Sequence, residues 1–190
     1  METMIATSLF IIIVMSGMGA LMNANRLHQK SQDMRSILDN LSFVMEEISR
    51  HLRVGYNYHC FEMGDAIPGT EADLPKSCEN GVGISFQSTI GGGGQWTYFI
   101  GGDGRVYKSV DGSIPIPLTT DEVHIDIASA FSVLGAEIPA ADGSGDKQQP
   151  FVTIRLVGSI TSKDGIVTPF KLQTSVSHRL VDVTRDATQP

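Results

Sequence analysis

No proline occurs before Pro68, and from Met4 to Met22 no residue carries a charge. A chain without a breaker continues whatever helix it starts, and one without charge for that length has no reason to stay in water. In a helix the nineteen residues MIATSLFIIIVMSGMGALM would rise about 28 Å, enough to cross the hydrocarbon core of a bilayer. Gly17, Gly19, Asn23 and Asn25 are the points at which such a helix would soften.

Beyond this segment the pattern turns amphipathic. Met34, Leu38, Leu41, Met45, Ile48 and Leu52 follow one another at intervals of three and four residues, the stripe of a helix with one buried face. Ile37, Phe43 and Val44 widen the stripe toward a surface that packs on a sheet, and a coiled-coil seam, the alternative, is short of heptads. Arg50, His51 and Arg53 suit the negative end of the helix dipole, and Gly55 suits the residue past its last turn. The spacing predicts one helix from Thr3 to the residue before Gly55.

Past Gly55 the stretch YNYHCFEMGDAIPGTEADLPKSCENG is rich in turn residues and reads as a loop holding both cysteines. β-like runs follow at Gly83–Thr89, Gln95–Ile100, Arg105–Val110, Glu122–Ala128, Phe151–Thr161 and Thr168–His178, separated by turn signals such as GGGG and GGDG. Ser85 and Ser88 read as outward-facing positions, and Ile138–Pro150 as a polar loop. The expected class is α+β, a long N-terminal helix packed on an antiparallel sheet. The expected segments are 1–25 (membrane or filament-core half of the helix), 26–55 (amphipathic half) and 56–190 (a disulfide-stapled loop and the sheet head).

Cys60 and Cys78 read as one disulfide formed in an oxidising compartment, with two free buried thiols as the competing reading. A net charge of −7 argues against nucleic acid, which demands a basic surface. The five histidines lack metal-ligand spacing, two of them falling on the surface of the predicted helix, and DGSGD at Asp142–Asp146 lacks the alternating acids of a calcium loop. No nucleophile–base pair or phosphate-binding loop is present. No metal, cofactor or catalytic residue is expected, and the chain is not expected to be an enzyme.

Glu2 is the one acid in the apolar segment. The nearest positive charges, Arg26 and Lys30, come after the segment, which by itself would keep the bulk of the chain in the cytoplasm. A basic leader upstream of Met1 would reverse that orientation, so the written start is expected to lie downstream of the true one. A carboxylate near hydrocarbon is tolerated when a positive group lies at the same depth; the alternative is that Glu2 rests at the headgroup boundary.

The segments ETMIATSLFIIIVMSGM, LDNLSFVMEEISRHLRVG and FKLQTSVSHRL together resemble type IV pilin-like proteins, minor pilins and the minor pseudopilins of type II secretion systems. The resemblance covers roughly the first sixty residues and, less closely, the last strand. Glu2, Thr3 and Met4 match the acid of the prepilin methylation motif and the positions next to it, while the leader, the cleavage glycine and the phenylalanine have no counterpart in the written chain. The resemblance implies a structural subunit with Glu2 as the assembly contact, set against the N-terminal amine of a neighbouring subunit. It also implies a C-terminal domain outside the cytoplasm. The implied partners are other pilin-like subunits, the inner membrane and an assembly machinery that includes a prepilin peptidase. The alternative expectation is a monomeric, membrane-anchored binding module facing the periplasm or exterior.

Overall fold

The computed structural model describes residues 2–65, 74–88, 94–137, 148–162 and 165–177. Met1, residues 91–93 of the GGGG tract, the 138–147 part of the polar loop with its DGSGD motif, and the chain from His178 onward lie outside the described residues. The chain divides into two compact units, Met1–Asp39 and Asn40–Pro190.

One helix, α1 (Glu2–Val54), runs without interruption through Gly17 and Gly19. In the first unit its apolar side chains stand exposed all round, as at Phe10 (67%) and Met15 (72%). Thr7 and Ser8 bond back to the carbonyls of Thr3 and Ile5 at 2.9 Å, so these two hydroxyls are satisfied within the helix itself. Met34 and Leu38, the first two positions of the predicted stripe, are half-buried.

The second unit is an α+β head. Its described residues contain the last turns of α1 and ten strands: β1 (Gly55–Phe61), β2 (Cys78–Gly81), β3 (Gly83–Ser88), β4 (Gln95–Ile100), β5 (Val106–Val110), β6 (Ile116–Pro117), β7 (Val123–Ile125), β8 (Ala130–Leu134), β9 (Phe151–Thr161) and β10 (Val167–Ser177). Where one antiparallel sheet was expected there are two. The first runs β1-β3-β4-β5-β6; the second runs β10-β9-β8-β2. β7 shares the β8 side of β9, pairing Gly158–Ile160 while β8 pairs Phe151–Arg155.

Ser129 bridges the gap between these two short strands. Its Oγ accepts from the Val157 amide at 2.7 Å and donates to the Val157 carbonyl at 2.8 Å, taking the place of a strand residue. At Gly158 the backbone of β7 comes so close that a side chain would overlap the His124 carbonyl oxygen.

Leu41, Val44, Met45, Ile48 and Leu52 are buried, whereas Phe43 is 65% exposed. Phe43 does not widen the stripe: it lies one residue off the buried row and points to solvent. Ser85 and Ser88 are likewise buried, not outward-facing. Ser85 Oγ lies 2.5 Å from Thr97 Oγ1 and accepts from Gln95 Nε2 at 3.4 Å, a polar cluster inside the head that meets its own hydrogen-bonding needs. Gly55 follows the last helical residue without adopting the left-handed conformation of a helix cap. Its bare α-carbon instead makes room for the Phe86 ring. Glu122–Ala128 forms a strand only over Val123–Ile125, because the chain turns at Asp126, whose carbonyl accepts from the Ser129 amide at 2.9 Å.

Candidate functional site

Glu2 sits in the first turn of α1, where an acid meets the positive end of the helix dipole. Its side chain is exposed, and the next charged residue along the helix is Arg26. α1 is the one helix among the described residues that is long and apolar enough to cross a membrane, and none of its most apolar window is buried.

Within the head, the helix is keyed to the first sheet by a polar and aromatic cluster. Lys108 Nζ on β5 lies 2.9 Å from Glu47 Oε1 and 4.2 Å from the centroid of the Trp96 ring, combining an ion pair with a cation–π contact. His51, one turn along from Glu47, meets Trp96 edge-on at 4.2 Å. Its Nδ1 lies 2.8 Å from the Tyr98 hydroxyl. His51 is therefore not the surface histidine the sequence suggested. Burial, with Lys108 as the second cause, holds its pKa below the usual value, and Glu47 pulls the other way. Burial also pushes the Tyr98 hydroxyl up, with Glu47 adding to it, so both groups are uncharged at neutral pH. The cluster joins the helix to the sheet through Glu47 and His51 on α1 and Trp96, Tyr98 and Lys108 on β4 and β5.

Tyr58 closes the helix end from below. Its one hydroxyl proton is shared between the carbonyls of Leu52 and Gly55 at 2.5 and 2.9 Å, supplying a partner to a carbonyl, that of Leu52, which the helix terminus leaves open.

Cys60 and Cys78 form a disulfide with their Cα atoms 5.8 Å apart. The bond closes the stretch of chain between the two cysteines and also joins two strands. Cys60 lies on β1, an outer strand of the first sheet, and Cys78 on β2, an outer strand of the second. The bond is thus a covalent seam between the two sheets. Gly81 lies directly on it, where a side chain would overlap the Cys60 sulfur. Beside the seam the Ser77 amide and hydroxyl both donate to the Glu137 carboxylate, at 2.8 and 2.5 Å. This clamp ties the start of β2 to the chain beyond β8.

A cleft of about 690 Å³ opens between the two sheets, within the range of roughly 300–1,000 Å³ typical of ligand pockets. Phe61, Phe99 and Ile125 contribute to its apolar lining, and Met63 and Ile127 stand on turns at its edges. Gly104, at a φ of 76°, leaves space for the His124 ring beside it. Nothing in the sequence singled out this cleft, because its walls come from four separate stretches, around Phe61–Asp65, Val82, Phe99–Gly104 and His124–Ser129, brought together by the fold.

Two other histidines have local partners. His28 Nε2 lies 3.1 Å from Gln32 Nε2, and His59 Nδ1 donates to the Leu74 carbonyl at 2.7 Å. Among the described residues no group of three or more His, Cys, Asp or Glu side chains is placed to hold a metal ion. No protein-family model, curated protein or solved structure matches the chain.

Proposed function

We propose that this chain is a pilin-like structural subunit, a minor pilin or pseudopilin, that assembles into a filament through its N-terminal helix. The observation that carries the reading is a single helix with two characters. Its first part is apolar on every side, with Glu2 in its first turn, and its last turns belong to an α+β head. A fully apolar helix surface needs lipid or like helices around it. A carboxylate at its end needs a positive group at the same depth, which the terminal amine of a neighbouring subunit would supply. The disulfide supports a head that matures in an oxidising compartment outside the cytoplasm. The partners are other pilin-like subunits and the membrane machinery that handles them.

Full-length chain carrying Glu2→Val or Glu2→Gln, produced in its native host, tests this reading. Both variants are expected to insert in the membrane at wild-type level and to be lost from sheared filaments. Incorporation of both at wild-type level would discard the register role of Glu2. A wild-type chain found only as a membrane-bound monomer would discard the filament itself in favour of an anchored binding module.

A further inference from the structure

Two tight turns stand at the edges of the cleft between the sheets. In the first, the Asp65 amide donates to the Glu62 carbonyl at 3.1 Å and the Glu62 amide to Asp65 Oδ2 at 3.0 Å. Met63 sits at its tip, 74% exposed. In the second, the Ser129 amide closes on the Asp126 carbonyl at 2.9 Å, and the paired bonds of Ser129 to Val157 fix the turn to β9. Ile127 sits at its tip, 91% exposed. Each turn therefore holds a large apolar side chain in water on a defined backbone, next to a carboxylate, at the edge of an apolar recess. What marks an interaction site is their joining one recess with Phe61, Phe99 and Ile125, since single exposed apolar side chains are ordinary and a contiguous patch is not.

The charges limit what that partner can be. Asp65 is neutralised by Lys76 at 3.3 Å, whereas Glu62 and Asp126 form no ion pair among the described residues. The first unit holds three acids (Glu2, Asp33, Asp39) and three bases (Arg26, Lys30, Arg35), so the whole net charge of −7 falls on the second. An acidic head disfavours nucleic acid, anionic lipid and a second acidic head at this position.

We infer that the cleft is a docking site for a segment of a partner polypeptide that combines aliphatic side chains with lysine or arginine. The aliphatic groups fill the recess between Met63 and Ile127, and the basic groups reach Glu62 and Asp126 at its rim. None of the residues lining the cleft lies on α1, so the proposal does not rest on the role of Glu2.

The test uses the full chain in discs of neutral phosphatidylcholine, with empty discs subtracted. Three labelled heptapeptides are titrated by fluorescence anisotropy: alternating Lys/Leu, Lys/Ser and Glu/Leu. The Lys/Leu peptide is expected to bind at least tenfold more tightly than either of the others. Glu62→Gln combined with Asp126→Asn, and separately Ile127→Ser, should each weaken it at least fivefold. Ile114→Ser, at an exposed isoleucine that does not line the cleft, should change nothing. Equal affinity for the three peptides, or a Lys/Leu affinity untouched by the cleft variants, would overturn the proposal. So would self-association of the chain that Ile127→Ser abolishes, which would give the cleft to a second copy. Displacement of the Lys/Leu peptide by equimolar octylammonium would also overturn it, by showing that a small amphiphile suffices.

Discussion

Lys108 on β5 is shared between Glu47 and Trp96, its Nζ 2.9 Å from the carboxylate and 4.2 Å from the ring centroid. Both charged side chains are about one-fifth exposed, so their pairing is shielded from water more than a surface bridge would be. Lys108→Met keeps the stem and removes the charge, leaving Glu47 alone at the helix–sheet boundary. The expected loss is about 1–3 kcal/mol. A double-mutant cycle with Glu47→Gln, followed by urea unfolding, should recover part of it. Strict additivity of the two variants would mean that the pair contributes nothing.

His51 makes the same boundary sensitive to pH. Burial, then Lys108, lower its pKa from 6.5, so as the pH falls the unfolded chain takes up the proton before the folded one. Stability conferred by neutral His51 is complete above pH 6.5 and is lost as the pH drops from there through the folded value. Between pH 7.5 and 5.5 the wild type should lose stability more steeply than His51→Gln. Parallel curves would assign the acid sensitivity to other groups.

Ile48 and Phe43 lie close on the same helix with opposite environments, 0% and 65% exposed. Ile48→Ala should cost about 2–5 kcal/mol through lost burial and a residual cavity. Phe43→Ala should stay within roughly 0.5 kcal/mol of wild type. Thermal unfolding of the two variants side by side checks the direction in which the helix face is turned.

Breaking the seam between the sheets should be costly. The Cys60–Cys78 pair spans a sequence separation of 18, for which the chain-entropy estimate is about 3 kcal/mol. The double variant Cys60→Ala/Cys78→Ala is expected to unfold at lower urea concentration by that amount, and added reductant should no longer matter to it. Hydrogen exchange should rise first in β1 and β2, where the sheets meet, and last in the central strand β9.

Gly158→Ala tests the crossing of β7 and β9. A side chain there overlaps the His124 carbonyl oxygen, and backbone on both sides is held by strand pairing. A destabilisation of about 1–3 kcal/mol is expected from the forced shift. The same substitution at Gly102, where a side chain would meet nothing within 4 Å, serves as the comparison and should be near neutral.

Local pattern carried much of the fold. Gln95–Ile100 and Phe151–Thr161 are strands over the ranges that their residues and flanking turn signals predict, and α1 runs as its lack of breakers requires. β1 escapes the pattern because Asn57 and His59 interrupt its apolar residues. Asn57 lies at a φ of 55° within the irregular register between Tyr56 and His59, so the strand does not alternate cleanly. β8 escapes it for the opposite reason: AFSVL has too little alternation to tell strand from any other buried run. The alternation at Glu122–Ala128 continues past the real strand, and Ile127 is a turn tip.

What the sequence could not show is which strands share a sheet. The separation into two sheets, the position of each cysteine at an outer strand and the cleft between them all depend on pairings between residues far apart in the chain. Glu2 was legible because an acid beside an uninterrupted apolar run stands out locally. Lys108, Trp96 and Tyr98 were not, since nothing around them marks the partner that each would find on the helix.

The disulfide also determines how the head would carry a pull along α1. Tension leaving the helix at Val54 enters β1, where pairing with β3 shares it with the first sheet and the bond from Cys60 to Cys78 couples it covalently to the second. Because the bond spans the two ends of the stretch between the cysteines, pulling Cys60 and Cys78 apart cannot extend that stretch until the covalent bond breaks.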